Sequence, residues 1–308
     1  MQGLGGDRRG MIDAHVHILP RARLRGLMRW ITRSFPDHPV PVNIDEAGIR
    51  ADLAAHGVRG FFNHVYPLSP QETDSLNEFC RDLSVRMPES APFGSLHVET
   101  PDKRGVVKRL IEEYRFTGLK VHPFIQDFDP ADERMMEVYG LMEEYQKPVF
   151  IHTGFDEFYG KALPADRIET ILERFPGLPL VLSHVLFPKF RDAEAIMERF
   201  PQVLLDATNV FGALRIFRHT ANDDTGGGAI EKPEETFRSL MERFGHRTLF
   251  GSDHPAGIGG LGEIHDDLTS FGLTDDLLRM ITRENPRRFI ARFAPHIDDS
   301  WEKRGVYE

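Results

Sequence analysis

The sequence predicts an α/β protein built as a (β/α)8 barrel of the TIM type. Three observations predict it: eight short apolar runs, a longer helical pattern between successive runs, and polar residues gathered where the runs end. The runs are Met11–His17, Val58–His64, Ala91–Val98, Thr117–His122, Pro148–His152, Pro179–His184, Gln202–Ala207 and Thr248–Ser252. Eight such units favour a closed parallel barrel over an open, doubly wound sheet. The first unit also lacks the GxGxxG turn that opens many dinucleotide-binding sheets.

Pro148 and Pro179 stand where the fifth and sixth runs begin, which suits a strand start, because proline has no N–H to give to a ladder. The clearest helix spans 132–146, with Met135, Val138, Tyr139, Met142 and Tyr145 on one face. Two segments break the rhythm and are read as extended loops after strands 1 and 7. Pro20–Ile44 carries Arg21, Arg23, Arg25, Arg29 and Arg33 among apolar residues, and Asn209–Pro233 contains Asp223, Asp224 and three consecutive glycines from Gly226. In a barrel both lie at the C-terminal ends of the strands, where active sites are assembled.

A barrel takes about 250 residues, so 308 residues read as one domain over 1–308, with 1–10 and 298–308 as flexible tails. With 40% hydrophobic and 28% charged residues, the chain can bury a core of that size. A net charge of −10 argues against a nucleic-acid or anionic-membrane surface, both of which need a basic face. No run approaches the ~18 apolar residues of a membrane span, and residues 1–10 lack the apolar stretch of a secretory signal. One cysteine, Cys80, leaves no internal disulfide and suits a reducing compartment. The expectation is a cytoplasmic protein acting on a small molecule, with a homo-oligomer possible.

The chemistry lies at the strand ends. His15 and His17 alternate onto one face of the first strand and so reach one point in space. His64, His122, His152 and His184 end later runs, and Asp253 follows the eighth. His15, His17, His152 and Asp253 make a donor set for Zn2+, while Mn2+ and Fe2+ accept the same donors. One ion is favoured and two are possible. A bound metal brings the pKa of water toward neutrality, and Asp253 can take the proton and pass it to the leaving group. His184 either binds the metal or donates to the substrate oxygen.

Lys120 and His122 share a face of the fourth strand. Lys120 can pair with substrate or a site carboxylate, can be carboxylated to bridge two metals, or can reach solvent at the rim. His64 and His97 are pocket-lining or structural, and His254 supports the site from the opposite face. The arginines after the first strand offer either a carboxylate clamp or a solvated helical face.

These residues resemble the amidohydrolase superfamily, specifically its amidohydrolase 2 branch of metal-dependent TIM-barrel hydrolases. The resemblance rests on Ile12-Asp13-Ala14-His15-Val16-His17, Gly118-Leu119-Lys120-Val121-His122-Pro123 and Pro148-Val149-Phe150-Ile151-His152-Thr153-Gly154. It continues through Leu182-Ser183-His184, Leu249-Phe250-Gly251-Ser252-Asp253-His254-Pro255 and Glu284-Asn285-Pro286-Arg287-Arg288-Phe289, almost the whole chain in order. It implies metal ligands at His15, His17, His152 and Asp253, and a ligand or catalytic role at His184 that depends on the subgroup. The branch includes hydrolases, lactonases and decarboxylases. The opening through Pro20 is similar to that of aminocarboxymuconate semialdehyde decarboxylase, whereas the Lys120/His122 strand resembles uncharacterised hydrolases. Hydrolysis of an amide, lactone or ester by activated water therefore ranks first and non-oxidative decarboxylation second. A barrel that only binds a ligand ranks third, since all five candidate ligands are present.

Overall fold

Eight parallel strands pair in sequence order, each with the next. They are β1 (Met11–Val16), β2 (Val58–His64), β3 (Ser90–Gly94), β4 (Gly118–Val121), β5 (Val149–His152), β6 (Leu180–Ser183), β7 (Leu204–Asp206) and β8 (Thr248–Leu249). This computed structural model describes residues 10–221, with side chains through 217, and 233–308. All eight expected runs become strands. Pro148 and Pro179 stand just outside β5 and β6, where their carbonyls still accept from Leu119 and Val149. The helix Glu133–Glu144 follows the expected pattern, burying Met135, Val138, Tyr139 and Met142, and the Asp132 side chain caps it at the Arg134 N–H.

β8 is two residues long because the chain leaves the ladder to build the site. The seam with β1 is closed instead by backbone hydrogen bonds from Ala14 N to Phe250 O (2.9 Å), Asp253 N to His15 O (2.8 Å) and His17 N to His254 O (2.8 Å). Gly257, Gly259 and Gly262 have GxGxxG spacing, but they follow the last strand of a closed barrel, where no further parallel strand continues the unit.

The barrel interior is layered. Phe62, Phe93, Phe150, Val181 and Leu249 form an apolar layer with Ile12 and Ala14. Two residues further along their strands come His64 after Phe62, His152 after Phe150 and Ser183 after Val181, all buried. Alternation thus stacks a polar layer on an apolar one. Phe289, Ile290, Phe293 and Trp301 pack against the lower layer.

Three expectations are corrected. The segment after β1 is largely the helix Arg21–Ser34, which buries Leu24, Met28 and Ile31 and leaves Arg21, Arg25, Arg29 and Arg33 exposed. The segment after β7 begins as the helix Val210–Ala221, while its aspartates and glycine triplet lie outside the described residues. Residues 298–308 are not a loose tail. The helix Pro295–Lys303 carries Trp301, fully buried, with its indole N–H on Pro88 O at 2.9 Å. The proposed N-terminal tail, 1–10, lies outside the described residues except for Gly10.

Gly60 leaves room for that indole, since a Cβ there would stand 2.9 Å from the Trp301 ring. Trp301→Ala should therefore cost about 3–5 kcal/mol of unfolding free energy, as for other large buried aromatics. Urea denaturation measures it, and a loss below about 1 kcal/mol would refute the packed terminus.

Candidate metal centre

The seam between β8 and β1 brings the most distant candidates together. Pairing of β1 with β2 shifts between Asp13 and Val16, so Ala14 belongs to the inner apolar core while His15 and His17 reach the polar floor. Asp13 Oδ1 accepts from both His15 N (3.0 Å) and Ser252 N (2.9 Å), tying the two strand ends together. Gly251 has to be glycine, because a Cβ would lie 2.9 Å from the His15 nitrogen. Asp253 then emerges with φ near 64° in the left-handed region, which Asp tolerates better than most residues. Its Oδ2 accepts from Asn209 Nδ2 at 2.7 Å.

The donor atoms of His15, His17 and Asp253 all lie within 4.8 Å of one another. His15 Nδ1 meets Asp206 Oδ2 at 2.6 Å, and His17 Nδ1 meets the His64 carbonyl at 2.8 Å. A carboxylate and a carbonyl only accept, so each Nδ1 carries the proton and each Nε2 presents a lone pair when the ring is neutral. His17 Nε2 stands 3.0 Å from Asp253 Oδ1, and His15 Nε2 stands 3.5 Å from it. Two lone pairs facing one carboxylate oxygen are mutually repulsive unless a cation lies among them. That is the arrangement a metal resolves.

His152 and His184 stand beside this group. His184 Nδ1 donates to Thr208 O (2.9 Å), so a neutral His184 offers Nε2 as acceptor to His152 Nδ1 at 3.1 Å. His152 Nε2 is thereby left as a buried lone pair with no hydrogen-bond partner. His122 stacks on His152 at 3.7 Å and faces Tyr159 Oη at 3.5 Å. The donors fit a divalent ion held by His15, His17 and Asp253, with His152 adjacent.

Lys120 does not reach the rim. It is fully buried, with Nζ 2.9 Å from Ser183 Oγ and 3.4 Å from His15 Nε2. Burial lowers its ammonium and raises the Asp206 carboxyl, and the charge of each works against the other's shift. His64 is structural: its Nε2 donates to Ala14 O (3.0 Å) and its ring packs on Phe93 and Phe150. His97 lies outside the cavity, its Nδ1 accepting from Glu99 N. His254 is buried behind the seam, 3.3 Å from Asp52.

On the sequence alone Asp206 takes no role, although it stands next to last in the run Gln202–Ala207. Asp13, Ser183 and Asn209 were missed as well. Each has a partner on a segment distant in sequence.

Above the floor opens a cavity of about 250 Å3. His17, His122, His152, His184, Asp253 and Asn209 line it together with Tyr66 and Tyr159, and its walls are apolar. Among the described residues no lysine or arginine lines it. Arg23 turns away to Tyr66 O and Glu72, so none of the expected arginines faces the site.

Burial keeps the imidazoles neutral. His15, His64, His122 and His152 are held well below the ordinary value near 6.5, with nearby positive groups adding to the effect, and His184 is lowered to about 4. Burial alone would raise Asp253, but its surroundings, the Lys120 ammonium among them, hold it well below the usual carboxylate range.

A parallel barrel with a group of residues that could hold a metal beneath an apolar cavity defines the class of fold and site. More narrowly, the family model described as Amidohydrolase matches residues 12–292, and the chain belongs to that family. No curated protein matches it. Its fold is similar to that of an uncharacterised TIM-barrel protein from Bordetella bronchiseptica (17% identity, 92% of this chain and 98% of that one, TM-score 0.69). It is also similar to a dihydroxybenzoic acid decarboxylase from Polaromonas with bound manganese (15%, 93% and 98%, TM-score 0.66). A manganese-bound 5-carboxyvanillate decarboxylase from Novosphingobium aromaticivorans matches as well (13%, 92% and 97%, TM-score 0.59).

Asp206→Asn should weaken metal binding about 10- to 100-fold, the usual effect of removing the group that orients a ligating histidine. Competition with a chelator reads it, and unchanged affinity would remove Asp206 from the site. The same groups set an acid response. A histidine neutral in the fold contributes stability that is complete above the unfolded value near 6.5 and is lost as pH falls below it. Asp13, raised to about 7 by burial, and Asp206, also raised, act in the opposite sense. Five histidines outweigh two carboxyls. The Tm of chelator-treated protein should therefore fall between pH 6.5 and 4.5, and a level or rising Tm would contradict the assignment.

Proposed function

We propose that this chain is a metal-dependent hydrolase that cleaves a C–N or C–O bond of a small molecule such as an amide, lactone or ester. The observation that carries the reading is the convergence of His15, His17 and Asp253, whose donor atoms lie within 4.8 Å of one another, beside the unpartnered Nε2 of buried His152. His15, His17 and Asp253 would hold the ion, with His152 as a further ligand. Three imidazoles and a carboxylate suit zinc, and manganese or iron(II) takes the same donors. The metal, when bound, supplies Lewis acidity that polarises a carbonyl and activates water.

The chain's own residues do the rest. Asp253, kept deprotonated and oriented by Asn209, takes the proton of the attacking water and returns it to the departing nitrogen or oxygen. His184 orients His152 rather than serving as a ligand through the nitrogen already engaged. Lys120, as an ammonium beneath the floor, balances buried carboxylate charge and fits a single ion. The apolar walls exclude bulk water and strengthen these interactions.

Decarboxylation of a small carboxylic acid is the second reading, supported by the two manganese-bound decarboxylases of similar fold. The lack of a described cation in the cavity weighs against a clamp for a remote carboxylate. Elemental analysis should find about one equivalent of zinc or manganese, lost in His15→Ala/His17→Ala. No metal after growth with both ions would overturn the mechanism. On active substrates, 18O from water should enter the product, whereas CO2 release without 18O would establish decarboxylation.

A further inference from the structure

We propose that the substrate carries its reacting carbonyl on a neutral hydrophobic body, a ring system or alkyl chain, that runs from the metal centre to an aromatic rim. The inference deepens the hydrolase reading and rests on it. Seven large hydrophobic side chains are exposed among the described residues, and five of them line this one cavity: Trp30, Phe35, Phe158, Ile216 and Phe217. They come from three separate segments, the helix Arg21–Ser34, the turn of helix at Asp156–Tyr159 and the helix Val210–Ala221.

The clustering is built. Phe158 packs edge-on to Trp30 at 5.1 Å and stacks with Phe35 at 6.0 Å, and Tyr159 stacks with Trp30 at 6.2 Å. Trp30, Phe35, Phe158 and Phe217 are each between 36% and 41% exposed, so the rim holds apolar surface in water around an opening that leads to the donor atoms. Such a patch is costly unless something apolar covers it. Continuity with the catalytic floor favours the substrate itself as that cover. Among the described residues the charged and imidazole groups that line the cavity stand at the floor, so the chemistry is placed at one end of the ligand and the grip at the other.

Alkyl hydroxamates of increasing length, titrated calorimetrically into metal-loaded protein, separate the two ends. Acetohydroxamate should bind loaded protein and not chelator-treated protein. From acetohydroxamate to octanohydroxamate, affinity should rise about threefold to fourfold per methylene, as for other buried CH2 groups. Suberic acid monohydroxamate, with a terminal carboxylate, should bind at least tenfold more weakly than octanohydroxamate. Trp30→Ser/Phe158→Ser should flatten the chain-length response and leave acetohydroxamate affinity within about twofold. A flat response in the native protein, with acetohydroxamate still bound, would overturn this inference alone. Binding of acetohydroxamate regardless of metal would overturn the metal-centre reading and this inference with it. A rim buried in a dimer, seen as a doubled mass by light scattering with no chain-length response, would also refute it.

Discussion

The candidate metal centre depends on closure of the barrel, and the barrel closes through its shortest strand. β8 supplies only two ladder residues, so the seam with β1 depends on three backbone hydrogen bonds and on Asp13, which accepts from both sides of it. Two of those bonds involve the backbone of His15 and His17, and one comes from Asp253 itself. The contact that shuts the sheet is therefore the contact that registers the ligands against one another. Positions 13 and 251 belong to the site as much as the imidazoles do, although neither offers a donor atom to it. Asp13 sets the height of both chains, and Gly251 lets the second pass close against His15. A burial-raised carboxyl at the seam is tolerated because two amide donors accompany it.

Above that seam, the barrel solves a solvation problem. Six imidazoles, the Asp13 and Asp206 carboxyls and the Lys120 ammonium are buried at or beneath the floor, with Asp253 partly exposed above them, in a region that would destabilise any buried one of them alone. Each imidazole nitrogen used for support is satisfied: by Asp206 for His15, by backbone carbonyls for His17, His64 and His184, and by His184 for His152. His15, His17 and His152 each keep Nε2 free of these supports. Rigidity and reactivity thus come from the same hydrogen bonds, since fixing one nitrogen of a ring decides what the other can do.

How far this was legible depended on whether a residue's meaning was local. Alternation within a strand is local, so the eight strands and the shared face of His15 and His17 could be read directly. The ends of runs are local too, which made His152, His184 and Asp253 conspicuous. Asp206 stands alone inside its run, and its meaning is not local, because its partner His15 lies on a strand far away in sequence. The arginine-rich segment after β1 reads as loop when its charges are counted. It reads as helix when Leu24, Met28 and Ile31 are spaced along it, and the helical period prevails because that face is buried. Trp301 shows the opposite failure. Its neighbours are charged, and nothing nearby reveals that Gly60 and Pro88 have left space for the indole.

Charge balance links Lys120 to the proposed chemistry. Asp206 and Asp253 bring two negative charges to the floor, Lys120 one positive charge, and Asp13, with its carboxyl near neutral pH in strength, adds a fraction. Without a metal the floor carries an uncompensated negative charge of about one unit in a low-dielectric interior, which is unfavourable. A divalent ion would reverse the sign and leave a modest positive excess. That excess is small enough to be stable beneath apolar walls and of the right sign to stabilise negative charge growing on a substrate oxygen. If Lys120 were neutral, the same floor would merely be balanced by the ion. On the proposed reading, the buried lysine would turn a metal-binding pocket into one that favours an anionic transition state. This accounts for an ammonium under the histidines, where an apolar residue would have been simpler to bury.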